Sequence, residues 1–173
     1  RQAITVDRFL RTNQPHIWAA GDANGGYLFT HVASFEGGLA AENAFSAVSK
    51  PADTRVVPRT TFVDPEVASI GYTEAGALAA GLDIVTHSFS FAALDRAILH
   101  GEARGLVKLV VETHTGQIAG AHLVGPHASS ILAEIALAMQ QRLPVSAIAE
   151  TMHAYPTFPE AVEAAALAPP SSP

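Results

Sequence analysis

Between residues 56 and 124 the chain carries five runs rich in β-branched and aromatic residues: 56–63, 67–72, 84–91, 106–112 and 118–124. Runs of this length bounded by turn residues read as strands. Asp64-Pro65 and Thr115-Gly116 supply turns, and the last two runs read as a hairpin. A short helix is expected over 74–80, closed by Gly81 in a left-handed cap. Longer helical patterns of this region come only after the strands. Ile131, Leu132, Ile135, Ala136 and Met139 form an apolar stripe within 129–142, stopped by Pro144. Val145, Ile148 and Met152 continue as a second short helix, and a last helix is expected from about Thr157 to Leu167. Strands first and helices last predict an α+β domain, an antiparallel sheet with helices packed on one face.

A different pattern precedes it. Ile17 to Ala20 form a short apolar run ended by Gly21-Asp22, which reads as a buried strand reaching a tight turn. After Gly25-Gly26, the residues Val32, Phe35, Leu39, Ala41, Phe45 and Val48 recur at helical spacing, predicting a helix from about His31 to Val48 that ends before Pro51. The polar link from Ser49 to Arg55 marks a boundary. Residues 1–50 are therefore read as one segment, 51–168 as a domain and 169–173 as a disordered tail.

With 49% hydrophobic and 15% charged residues there is ample apolar side chain for a core. A formal net charge of -6, with no run of Lys or Arg, would repel phosphate backbones and anionic lipid, so neither nucleic acid nor membrane is an expected partner. The chain has no cysteine, so any redox-active cysteine pair lies outside it, and a cytoplasmic location fits that composition. A length of 173 residues suits one full domain plus a fragment, and the start at Arg1 without Met suggests a chain cut at its N-terminus.

Three places can carry chemistry. Gly21-Asp22 reads as a common turn, or as a carboxylate at a strand's end able to accept hydrogen bonds from sugar hydroxyls. The helix start near Thr30-His31 would turn its free amides and partial positive charge toward an anionic ligand edge. Gly37 and Gly38 inside that helix suggest either a close backbone approach or a tolerated weak spot. Thr157-x-x-Glu160 has the form of a capping box, with Thr157 bonding the amide of Glu160 and Glu160 reaching back. The histidines His16, His87, His100, His114, His122 and His127 show no metal-ligand spacing and read as structural or surface residues.

The run TNQPHIWAAGD from Thr12 to Asp22, then FTHVA from Phe29 and EGGLAAEN from Glu36, resembles the second flavin motif of the class I pyridine nucleotide-disulfide oxidoreductases, the group of dihydrolipoamide dehydrogenase, glutathione reductase and mercuric reductase. PRTTFVDPEVASIGYTE from Pro58, RGLVKLVV from Arg104, GAHLVGP from Gly120 and HAYPTFPE from His153 resemble that family's dimerisation domain. The resemblance implies that residues 1–50 are the last strand and helix of an FAD-binding domain. It implies that Asp22 holds a ribityl hydroxyl of FAD and that the segment Phe29, Thr30, His31 faces the flavin ring. It also implies NAD(P)H as electron source and a homodimer in which His153, Tyr155 and Glu160 enter the partner's pocket.

In disulfide-reducing members a histidine acting as thiol acid–base stands where this chain has Tyr155. A phenol with a pKa near 10 takes a proton poorly at neutral pH. His153 can substitute for it or be pinned structurally. Tyrosine here, and Asp95-Arg96-Ala97, are similar to mercuric reductases, although the metal-transferring cysteine pair of those enzymes is missing from the chain's end. The expectation is a reductase passing electrons to a small-molecule disulfide or a thiol-bound metal ion, inactive as this piece alone. The alternatives are a lipoamide- or glutathione-type disulfide reductase and a non-catalytic dimerisation module.

Overall fold

A computed structural model describes residues 3–171, and the chain divides after Thr54 into two compact units. In the first, the run from Ile17 to Ala20 is extended but pairs only through a bridge between Trp18 and Arg11. It leads into a single 3-10 turn, Gly21–Asn24, and then into helix α1, Thr30–Phe45. A Cβ on Gly21 would lie 2.6 Å from that of Ala33, so glycine is what lets the turn lie against α1. The helix stops three residues short of the expected Val48. Asn43, 2% exposed, takes the amide of Lys50 on its Oδ1 at 2.8 Å and donates to the carbonyls of Lys50 and Phe9. Ser46 accepts the amide of Val48 on its hydroxyl. These side chains offer the backbone partners that compete with another helical turn.

The second unit is built on five antiparallel strands: β1 Arg59–Thr61, β2 Glu66–Gly71, β3 Ile84–Ser90, β4 Leu106–Glu112 and β5 Ile118–Gly125. Their order across the sheet is β1-β2-β5-β4-β3. The first run, expected over 56–63, shrinks to three residues because only Arg59 to Thr61 face partners on β2. The helices are α2 Glu74–Ala79, α3 Asp95–His100, α4 Ala128–Gln140, α5 Val145–Ala149 and α6 Glu160–Leu167. The main core lies on one face of the sheet, where Ile70, Leu109 and Leu123 cluster with Leu132 and Ile135 of α4 and Val162 of α6. These side chains are all essentially excluded from water. Alternation along the strands sends Val110 and Ile84 to the other face, where they form a small cluster with Ala77 of α2.

Four expectations change. Helix α5 ends at Ala149, and Met152, expected in its stripe, is 95% exposed. Helix α6 begins at Glu160, not near Thr157. Helix α3 and the turn Phe91–Ala93 before it were not expected, since six residues are too few for periodicity to register. The tail from 169 is not free of structure where it is described. Ser171 exchanges backbone hydrogen bonds with Thr86 at 2.9 and 2.8 Å, along the outer edge of β3, and His87 holds the Ala168 carbonyl at 2.8 Å. An edge strand offers unpaired groups, and the prolines before Ser171 favour the extended backbone that can meet them. Residues 172 and 173 lie outside the described residues.

Glu66, the first residue of β2, has a second task. Its Oε2 accepts both the amide and the hydroxyl of Ser129 in the first turn of α4, at 2.9 and 2.7 Å. A carboxylate there satisfies an orphan donor and complements the positive end of the helix. Glu66→Ala is therefore expected to destabilise the protein by about 1–2 kcal/mol in urea unfolding. An unchanged midpoint would show that the start of α4 is held by other contacts.

Candidate functional site

In the first unit, Glu36 organises the Gly21-Asp22 turn. Its carboxylate, on a residue 5% exposed, accepts the amide of Gly21 at 2.7 Å and the side-chain amide of Asn24 at 2.8 Å, both on Oε2. The turn is thereby fixed from inside, while Asp22 stands exposed and its carboxylate makes no hydrogen bond or ion pair with the described residues. Helix α1 starts at Thr30 with Phe29 as N-cap and no side-chain cap bond, so the positive end of the helix is not screened by a capping side chain. Tyr27, Phe29 and His31 stack in sequence, with ring centroids 6.5 and 5.3 Å apart. An acceptor free for hydroxyls, beside an uncapped helix start and aromatic rings, fits a polyhydroxylated ligand with a ring that gains negative charge. Among the described residues, nothing beyond the helix's own neighbouring backbone lies within 4 Å of a Cβ at Gly37 or Gly38, so no close approach among them explains these glycines.

In the second unit, Tyr155, Asp95 and Glu160 share a groove of about 330 Å³ with Phe89, Glu163 and Leu167. The Tyr155 hydroxyl donates to Asp95 Oδ2 at 2.8 Å. That hydrogen bond, with the negative charges of Asp95 and Glu160 and slight burial, holds the phenol's pKa above its ordinary value of 10. Tyr155 thus keeps its proton at neutral pH even more firmly than a free tyrosine, with no phenolate at hand to act as base, and what it can offer a ligand is an oxygen lone pair. Half of the expected capping box forms. Glu160 reaches back to the amide of Thr157 at 2.5 Å, but the Thr157 hydroxyl donates to the carbonyl of Ala154 and does not serve the amide of Glu160. Pro159 takes the N-cap position instead.

His153 sits two residues before Tyr155 but does not share its exposure. Its side chain is 7% exposed and engaged at both nitrogens, by Glu134 on one side and by Thr151 and Glu163 on the other. Glu134, Glu36 and Asp95 contact the candidate residues, and sequence reading gave none of them a role in the site. Of the other histidines, His122 meets the Tyr72 carbonyl, His114 pairs with Asp83, and His100 and His127 lie against the Phe158 ring. Among the described residues no three His, Asp or Glu side chains gather as a metal-holding group.

Residues 57–166 match the family described as pyridine nucleotide-disulphide oxidoreductase, dimerisation domain. A dihydrolipoyl dehydrogenase of Mycobacterium bovis is 42% identical over 164 residues, 94% of this chain and 35% of its own length. A mercuric reductase of Streptomyces lividans is 37% identical over 166 residues, 96% of this chain and 35% of its own. Among solved structures, LpdA from Mycobacterium tuberculosis superposes with a TM-score of 0.88 at 32% identity, over 95% of this chain and 36% of that one. The chain thus spans about a third of the length of the relatives it matches. The two relatives' names differ in the acceptor and leave that choice open.

Proposed function

The chain belongs to the pyridine nucleotide-disulphide oxidoreductases through its dimerisation domain, and on that basis we propose that the whole protein passes electrons from NAD(P)H through FAD to a disulfide or a thiol-bound metal ion. In this reading residues up to about 50 belong to the FAD-binding domain, with Asp22 accepting a ribityl hydroxyl and the segment Phe29, Thr30, His31 facing the ring. Bound FAD supplies the redox chemistry. The chain's own contribution is placement: Glu36 sets the turn, Asp22 grips the polyol, and the start of α1 favours negative charge on the ring that it faces. The protein acts as a homodimer, in which Tyr155 and Glu160 complete the partner's acceptor pocket. By itself the 173-residue stretch is expected to hold flavin weakly and to be inactive. No helix among the described residues is long and apolar enough to cross a membrane.

For the acceptor, the observation that carries the reading is the bond from Tyr155 to Asp95. A thiol exchange needs a group that takes a proton near neutral pH, and a phenol already committed to a carboxylate does not. A thiol-bound metal ion needs no such base and can use an oxygen lone pair, which favours a mercuric reductase-like acceptor. The second reading, a lipoamide-type disulfide reductase, is supported by the 42% identity to a dihydrolipoyl dehydrogenase.

In the full-length protein, NAD(P)H oxidation is to be followed with lipoamide and with Hg(II) as its bis-thiolate, for wild type and Tyr155→His. Wild type is expected to favour the metal complex, and Tyr155→His to raise lipoamide turnover roughly tenfold or more, within the range a positioned general base contributes. A wild-type protein that already turns over lipoamide faster than Tyr155→His would reverse the choice of acceptor. A preparation with neither flavin absorbance nor NAD(P)H oxidation would end the reading altogether.

A further inference from the structure

The segment from Thr151 to Pro159 contains no helix or strand, yet it carries Tyr155. His153 sits inside it, and both ring nitrogens meet acceptors only. Nε2 lies 3.0 and 3.1 Å from the two oxygens of Glu134 on α4. Nδ1 lies 2.9 Å from the carbonyl of Thr151 and 3.3 Å from Glu163 on α6. A neutral imidazole has one N–H and one lone pair, so on one side it would point a lone pair at an oxygen. Only the imidazolium satisfies both sides. Glu134 and Glu163 are the two charged groups that face the ring, one from each helix.

We infer that His153 is a positioning residue whose imidazolium clamps the 151–157 segment between α4 and α6 and so aims Tyr155, exchanging no proton with substrate. The significance of that aim rests on the acceptor pocket proposed above. The clamp itself does not. Burial opposes the charged ring, but the hydrogen bond and charge of Glu134, the Thr151 carbonyl and the charge of Glu163 outweigh it, so the pKa lies above the ordinary 6.5. A folded-state pKa raised above the unfolded one gives a contribution fully present below about 6.5, lost as pH rises through the folded value. Above it, two partly buried carboxylates face one another across a neutral ring and the segment loosens.

The test is hydrogen–deuterium exchange of peptides covering 151–157 in the full-length, flavin-loaded protein, corrected for intrinsic rates across a pH series. Wild type should be protected at pH values near 6 and lose protection as pH rises. His153→Gln should exchange on the order of tenfold faster at the low end and show little further pH dependence, about the factor lost with one hydrogen bond to a charged group. Glu134→Gln should start losing protection at lower pH than wild type, and it carries the test should His153→Gln not fold. Wild-type exchange in both variants would overturn the clamp. So would a His153→Gln protein that loses turnover with its exchange unchanged, because that is the signature of a proton-transferring histidine. Exchange needs no substrate. A Tyr155→Phe protein with unaltered turnover would therefore remove the proposed pocket while leaving the clamp standing.

Discussion

Gly125→Ala is expected to leave the dimerisation domain barely folded. Gly125 ends β5 with φ at +157°, a conformation that L side chains rarely adopt. A Cβ there would lie 1.7 and 2.2 Å from Cε2 and Cδ2 of Phe91. Phe91 cannot swing aside cheaply, because it is fully buried in the main core and its ring meets Phe158 edge-on at 6.4 Å. Overpacking and backbone strain together should cost about 3 kcal/mol or more, a large share of the stability of an ordinary domain. Gly81→Ala is the control. Its φ is +79°, but apart from its chain neighbours none of the described residues lies within 4 Å of the added carbon, so only the backbone strain applies, about 1 kcal/mol. Urea midpoints of the two variants measure the difference. A Gly125→Ala midpoint equal to that of Gly81→Ala would show that the ring has room to move.

The contact between Gly125 and Phe91 also shows what a sequence does and does not disclose. Strands β3, β4 and β5 are legible because each is a run of apolar and β-branched residues closed by turn chemistry, and Thr115-Gly116 brings two of them together locally. Helix α4 is legible from its stripe, whose Ile131, Leu132, Ile135 and Met139 are all buried. The candidate site was legible as a set of positions and illegible as a set of contacts. Tyr155 and Asp95 are 60 residues apart, Glu134 and His153 are 19 apart, and Glu36 and Gly21 are 15 apart. No periodicity links such pairs. The first two pairs meet because α3 and α4 are docked by the core of the second unit, and the third because the turn at Gly21 lies against α1. Thr157 illustrates the reverse error, in which local chemistry permits a hydroxyl cap but the turn after Ala154 captures the hydroxyl first. A side chain with two possible partners is settled by tertiary position, which propensity does not contain.

Glu36→Ala in the full-length protein is expected to lose flavin as well as stability, whereas Asp22→Ala should lose flavin alone. The alanine at 36 removes the acceptor for the Gly21 amide and for Asn24 in a buried place, and stranding those two donors costs about 3 kcal/mol. The turn that carries Asp22 then loses its support from α1 and keeps only local bonds, such as that from the Gly25 amide to the Asp22 carbonyl. Glu36→Gln separates shape from charge. Both hydrogen bonds fall on one oxygen, Oε2, so the carbonyl oxygen of a glutamine can take that place and keep both donors satisfied. Its cost should be about 1 kcal/mol, with flavin retained. Asp22 makes no side-chain bond that its loss would break within the described residues, so with all the proteins compared flavin-free Asp22→Ala should keep the wild-type unfolding midpoint, while the visible absorbance of the protein as purified falls. The pattern to look for is a crossing: stability ordered Asp22→Ala above Glu36→Gln above Glu36→Ala, but flavin content highest in Glu36→Gln. Stoichiometric flavin in Glu36→Ala would mean that the shape of the turn is irrelevant to the cofactor. Stoichiometric flavin in Asp22→Ala would mean that the carboxylate does not touch it.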